Sequence, residues 1–379
     1  MFYKYKPDRL RTVRLLFSNR EVSMMSVKLR SSEPLVRPLL PRLVIILFLI
    51  CILPLGSLLV SDVKKIEPIH PYRSPEALEL LDSLYSMKGQ GILTGQHDFL
   101  ENPDQYVEYT KRVTGKYPAV HGYELGGILG QNAETIQKQR ESIVQDAIAW
   151  NATGGIVTMM YHAAYPGASL EWKNVQRQTT QQEFNRVVTP GTEEYKSLIA
   201  DLDNVAIYLK KLQAANVPVL WRPYHEMNGG WFWWGKKSDY TKLWSIMYER
   251  YVSVYGLDNL VWVWNPNAPK PECDAYPAYY PRFDMVDVLA VDIYDNDYKQ
   301  SYHDELDALA DGKPIAIGEN GQMPGTDVLE GNQNKYVWFM TWGEMIHTKN
   351  TEEQLRKIMN SNRVLDRDDA AELRRKHPK

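Results

Sequence analysis

The feature that most constrains this chain is an alternation. Short apolar stretches of strand length are separated by longer stretches with helical periodicity, between about residues 75 and 360. Strands are predicted at 91–96 (GILTGQ), 119–125 (AVHGYEL), 155–162 (GIVTMMYH), 217–225 (VPVLWRPYH), 260–265 (LVWVWN), 287–294 (DVLAVDIY), 314–319 (PIAIGE) and 336–342 (YVWFMTW). Helices fill the gaps at about 104–114, 134–150, 193–215, 239–255, 302–310 and 351–360. A first helix opens at Ser74-Pro75-Glu76, where a capping hydroxyl, a proline in the first turn and an early acid favour initiation, and runs to about Lys88. Within 193–215, Leu198, Leu202, Val205, Leu209 and Leu212 make one apolar stripe. Strand–helix alternation requires a parallel sheet with helical crossovers, and eight repeats predict one closed (β/α)8 TIM barrel. An open doubly wound sheet is the alternative. No glycine-rich dinucleotide loop or phosphate-binding loop is present. The Pro- and Tyr-rich stretch 270–283 is expected to pack over one face, and the charged chain after about 360 to fray.

The front of the chain is different. Leu43–Val60 is 18 residues without a charge, and residues 1–42 carry a net charge of +7. An uncharged run of this length reads as a signal peptide or membrane anchor, with the basic side cytoplasmic and everything after about Ser61 outside. A buried core helix is the competing reading. The expected division is a basic lead at 1–42, the signal or anchor at 43–60, the barrel at 65–365 and a charged tail at 366–379. Starting instead at Met24 or Met25 would give a lead of more usual length. The protein is expected to be secreted, or anchored and extracytoplasmic. Cys51 and Cys273 are not expected to pair, because one of them would lie in the bilayer.

The chain outside the lead has a net charge of −10, which argues against nucleic acid as a partner and is compatible with a neutral substrate. Tyr and Trp, at 24 and 11, far outnumber the 8 Phe, as suits a wet, aromatic-lined surface. In such a barrel the site forms at the C-terminal ends of the strands. There the chain places Gln96-His97-Asp98, Tyr161-His162, Arg222 to Asn228, Asp292-Ile293-Tyr294, Glu319-Asn320 and Trp342. Glu226 and Glu319 stand out, since each ends an apolar strand where an unpaired carboxylate is costly to desolvate. The fourth and seventh strands are expected to face each other across the barrel, so that the two glutamates flank one bond. Retaining glycosidases need such a pair, about 5–5.5 Å apart, with pKa values pushed apart so that one is an acid and the other a nucleophile. A purely structural reading makes each an ion-pair partner at a strand end.

Sugar rings have an apolar face that stacks on Trp. Trp172, Trp231, Trp233, Trp234 and Trp342 lie in predicted loops or at strand ends, and two or three of them are expected to serve as platforms. His97, His121, His162 and His225 are spread over the first four strands, which keeps a metal-dependent hydrolase open as another class, though no His-x-His pair occurs. A carbohydrate-binding protein without catalysis is a third class, against which the presence of both glutamates counts.

Several segments together resemble glycoside hydrolase family 26, chiefly its endo-β-1,4-mannanases: GILTGQHD (91–98), MMYHAAYP (159–166), WRPYHEMNGGWFWWG (221–235), VWVWNPN (261–267), VDIYDND (291–297) and IAIGENG (315–321). The resemblance implies a (β/α)8 barrel, retention of configuration and no metal or other cofactor. It implies a polysaccharide substrate. No nucleic acid partner is expected, the chain is expected to be a monomer, and membrane association is expected only through 43–60. The resemblance assigns Glu226 as acid/base and Glu319 as nucleophile. His225 would contact the nucleophile and the substrate 2-hydroxyl, Arg222 would orient the nucleophile, and Tyr294 would touch it. His162 and Trp342 would line the subsite next to the scissile bond, and Trp172 and Trp231 neighbouring positions. The family often has Arg after its eighth-strand Trp; here Gly343 follows. The same family hosts mixed-linkage β-glucanases and β-1,3-xylanases, so the substrate alternatives stay within it.

Overall fold

A computed structural model describes residues 73–375; the 43–60 segment, the basic lead and the last four residues lie outside the described residues. Eight parallel strands close on themselves: β1 (Ile92–Asp98), β2 (Val120–Glu124), β3 (Ile156–Tyr161), β4 (Val219–Pro223), β5 (Leu260–Trp264), β6 (Val288–Ile293), β7 (Ile315–Asn320) and β8 (Tyr336–Trp342). Each pairs with the next, and β1 pairs with both β2 and β8, so no edge remains open in the ring. This is the expected (β/α)8 architecture rather than the open sheet.

Side chains along a strand alternate between two cores. Outward residues such as Val219, Trp221, Trp262, Trp264, Leu289, Val291, Ile315 and Ile317 pack in the large core that also holds the surrounding helices. Inward residues such as Leu93, Leu220, Val263, Ala290 and Ala316 form a second core. Leu80, Leu84 and Met87 of the helix Pro75–Met87 join that second core and cover the N-terminal end of the barrel. The long helix Glu193–Ala214 buries the whole stripe read from the sequence, and Thr192 caps it by accepting the Tyr195 N–H at 3.1 Å. Each such Leu or Val contributes about 1.5–3 kcal/mol by leaving water.

Two expectations are corrected. First, β4 and β7 do not face each other; they are three positions apart in the ring, with β5 and β6 between them. Their side chains meet because both reach inward over the mouth, not because the strands are opposed. Second, fraying after about 360 does not describe residues up to 375. Val364–Leu365 adds a short strand, β9, parallel to β1, and Arg367–Arg375 is a helix with Ala370 buried. Six of its nine residues are charged, and some of these pack: Arg367 lies over the Tyr117 and Trp150 rings and Arg374 reaches Asn151 at 3.1 Å, so composition hid the packing from the sequence reading.

One irregularity aims the site. Val291 pairs with Ile317, but Asp292 pairs with Glu319, so Gly318 is an extra residue on β7. Without this bulge, alternation would turn Glu319 outward with Ile315 and Ile317. With it, Glu319 stands beside inward Asp292. The bulge also requires glycine, because a Cβ at 318 would lie 1.6 Å from the Asn265 Oδ1.

Candidate active site

The turn after β4 carries the first group of functional side chains. Tyr224 and Glu226 have φ of +45° and +54°, left-handed conformations that cost a non-glycine residue about 1–2 kcal/mol each. The surroundings hold this turn. The Tyr240 hydroxyl donates to the Tyr224 carbonyl at 3.0 Å, the Trp234 indole N–H to the His225 carbonyl at 2.8 Å, and the Glu226 N–H to the Asn265 carbonyl at 2.7 Å. The Trp233 indole N–H donates to the Ala163 carbonyl at 2.9 Å. Trp233 and Trp234 are 0% exposed, so neither is a sugar platform; they are the packing that fixes the turn.

The Glu226 carboxyl is buried, with a donor at each oxygen: Asn267 Nδ2 lies 2.8 Å from Oε1 and Trp231 Nε1 lies 2.6 Å from Oε2. Burial pushes its pKa up to about 7, and the nearby Glu319 carboxylate pushes in the same direction, outweighing the two N–H donors and Arg222. A carboxyl in this range still carries a proton near neutrality.

Glu319 has other partners. Arg222 Nη2 lies 2.5 Å from its Oε1, the Tyr294 hydroxyl donates to its Oε2, and His225 Nε2 stands 3.5 Å from Oε1. The same guanidinium reaches Asp292, with Nη1 at 3.5 Å from Oδ2, and Asn265 Nδ2 donates to Asp292 Oδ1 at 2.8 Å. Burial, then the Glu319 charge, pushes the Asp292 carboxyl well above the usual range. Burial, then the Arg222 charge, pushes His225 well below its ordinary value, so the imidazole is neutral.

Among the described residues, His225, Asp292 and Glu319 offer donor atoms within 4.8 Å of one another and could hold a cation. The Arg222 guanidinium already bridges the two carboxylates and supplies the positive charge there. The histidines weighed as a metal set are not one cluster. His97 stacks on Trp342 at 4.4 Å, His121 pairs with Asp98 at 3.2 Å, and only His162 and His225 are in ring contact, at 4.7 Å.

His162 lies against His225 at the same end of the barrel, with ring centroids 4.7 Å apart. Its Nδ1 lies 2.5 Å from Oε2 of Glu124, a buried carboxylate that also accepts the His162 and Gly126 backbone N–H groups. Trp172 and Trp342 flank His162, with ring centroids at 5.2 and 5.7 Å. Trp172 is 37% exposed, and Trp231 and Trp342 are partly exposed, so three of the five tryptophans present faces to solvent at this end of the barrel. The structure thus gathers Arg222, His225, Glu226, Trp231, Tyr294, Glu319, His162, Trp172 and Trp342 at one mouth. Sequence reading missed Glu124, Asn267 and the contact of Asp292 with Arg222. Glu124 and Asp292 carried a signal, a polar residue at the end of an apolar strand; Asn267, three residues beyond β5, carried none.

Residues 69–369 match the family described as Glycosyl hydrolase family 26. A mannan endo-1,4-beta-mannosidase of Thermothelomyces thermophilus is 32% identical over 315 residues, covering 79% of this chain and 62% of that protein. A mannan endo-1,4-beta-mannosidase A of a Piromyces species is 33% identical over 316 residues, covering 79% of this chain and 50% of that protein. The chain therefore spans between half and under two-thirds of the length of these relatives. Among solved structures, GH26A from Muricauda sp. MAR_2010_75 superposes with a TM-score of 0.75 at 40% identity, covering 79% of this chain and 98% of that one.

Proposed function

Because this chain belongs to glycosyl hydrolase family 26, we propose that it is a retaining endo-β-1,4-mannosidase acting on mannan, galactomannan or glucomannan. The observation that carries the reading is the unequal treatment of two neighbouring carboxyls. Glu226 is buried and pushed up to about 7, while Glu319 faces the Arg222 guanidinium and the Tyr294 hydroxyl. One is equipped to give a proton and the other to act as a carboxylate.

The reaction proceeds in two steps. A Glu319 oxygen attacks the anomeric carbon, the glycosidic C–O bond breaks, and the Glu226 proton passes to the departing oxygen. Glu226, now a carboxylate, takes a proton from water; that water attacks the anomeric carbon and releases Glu319. Arg222 and Tyr294 hold the nucleophile in one orientation. Neutral His225 reaches both the nucleophile and the 2-hydroxyl of the bound sugar. His162 and Trp342 line the subsite at the scissile bond, and Trp172 and Trp231 line adjoining ones. No cofactor enters either step.

The mannan preference comes from the relatives' named activity; mixed-linkage glucan and β-1,3-xylan are the alternatives. Incubation with galactomannan, mixed-linkage glucan and β-1,3-xylan, followed by product sizing, tests it. Short mannooligosaccharides from galactomannan alone are expected; preferential release from either other polymer overturns the substrate. The chain is taken to act as a monomer, outside the cytoplasm, exported or anchored by residues 43–60. Fractionation of an epitope-tagged full chain tests the location.

A further inference from the structure

The VWVWNPN stretch, which runs from β5 into the following loop, has no part in the mechanism above, yet its last residue touches Glu226. Asn267 Nδ2 lies 2.8 Å from Glu226 Oε1. Its own placement is over-determined. The Asn267 backbone N–H donates to Asn228 Oδ1 at 2.8 Å, and Asn228 Nδ2 donates back to the Asn267 carbonyl at 2.8 Å and to the Asp274 carbonyl at 3.0 Å. The Cys273 thiol lies 3.6 Å from Asn267 Oδ1. A thiol is a donor, so it selects the amide orientation with oxygen toward sulfur and NH2 toward the carboxyl. The flipped amide would set two acceptors against each other at Glu226. Burial pushes the Cys273 thiol up to about 11, and it therefore stays a donor across the working range.

We propose that Asn267 is a positioning residue for Glu226: it anchors Oε1 as the permanent acceptor and leaves Oε2 to carry the transferable proton, with its amide set by Asn228 and Cys273. This rests on the proposed acid/base role of Glu226. The asymmetry between the two oxygens supports it. Asn267 is buried and clamped through its backbone, whereas the Oε2 partner, Trp231, is partly exposed and can give way to a bound sugar. The charged and titratable groups facing Glu226 are Glu319 on β7, Arg222 on β4, Asp292 and Tyr294 from β6, and Cys273 in the 270–283 loop. All of them remain in place when only the Asn267 amide is removed.

The test uses Asn267→Ala, Cys273→Ala and Cys273→Ser in the full chain. The backbone clamp on Asn267 survives the first, and the partly exposed Cys273 offers a second, milder perturbation. An N–H donor favours the charged carboxyl, so its loss moves the alkaline limb of the pH–rate profile on mannopentaose upward, by about one pH unit, with turnover falling about tenfold. First-turnover release of dinitrophenol from a dinitrophenyl β-mannobioside, which needs no proton, stays at the wild-type rate. Cys273→Ala shifts the limb in the same direction by less, and Cys273→Ser, which restores a donor, returns it toward wild type. An unmoved limb in Asn267→Ala, or an equal loss of dinitrophenol release, overturns the proposal. Glu226→Ala is run alongside: if it keeps the wild-type limb, the acid/base reading itself fails, independently of Asn267.

Discussion

The Arg222 guanidinium lies 2.5 Å from the Glu319 carboxylate and joins two strands that are not neighbours in the barrel. It is an ion pair out of bulk water, where breaking one partner leaves an uncompensated charge. Its second arm reaches Asp292, so one cation holds two acids at the mouth. This arrangement fixes where Glu319 points before any sugar arrives.

The Tyr294 hydroxyl donates to the other Glu319 oxygen. Tyr294→Phe removes that hydrogen bond and keeps the ring. A bond to a charged acceptor is worth about 1.5–3 kcal/mol, so kcat on mannopentaose is expected to fall about 10–100-fold with little change in thermal midpoint. Steady-state kinetics beside a melting curve measure both.

The pH profile follows from Glu226. Its pKa is raised to about 7, and under the proposed mechanism the reactive form is the protonated one, present below that value and lost above it. The kcat/KM for mannopentaose should therefore decline with an alkaline limb near pH 7. For a dinitrophenyl glycoside the same limb should be absent from the first turnover. A shared alkaline limb for both substrates would assign it to another group.

The tryptophans divide by burial. Trp172, at 37% exposed, is expected to act on binding: Trp172→Ala should raise KM for long mannooligosaccharides several-fold and leave the melting temperature near wild type. Trp234, fully buried and bonded to the His225 carbonyl, is expected to act on stability: Trp234→Ala should cost about 3–5 kcal/mol. Denaturant titration with kinetics on each variant separates the two.

Gly318 and Glu124 extend the site below its surface. Gly318→Ala places a methyl against Asn265 and closes the bulge that aims Glu319, so activity should fall by more than about 100-fold. Glu124→Gln keeps the shape but weakens the hold on His162 Nδ1, and kcat/KM should fall about tenfold. Crystal structures of both variants would show whether Glu319 and His162 have turned.

The barrel was legible because its signal is periodic: the eight apolar stretches match β1 to β8 within two residues at either end, and the Leu198–Leu212 stripe is buried as read. The helix Arg367–Arg375 was not, because a charged composition masks a packing face that Ala370, Leu373 and the Arg367 guanidinium supply. Glu226 and Glu319 were visible as acids ending apolar strands. Their meeting was expected for a wrong geometric reason, since β4 and β7 are not opposed. A bulge at Gly318 and the reach of Arg222 bring Glu319 into the mouth, and neither is encoded in local periodicity. Trp231, Trp233 and Trp234 look alike in the chain; only the packing around the strained turn decides that two of them are structural and that the third touches the acid.

The central claim is that Glu319 forms a covalent bond to the sugar while Glu226 handles the proton. A 2-deoxy-2-fluoro-β-mannosyl fluoride slows turnover of such a bond, and intact-mass and peptide mapping then locate it. The expected result is one mannosyl adduct, on the peptide containing Glu319. An adduct on any other residue, or none while the enzyme releases product of inverted configuration, would contradict it.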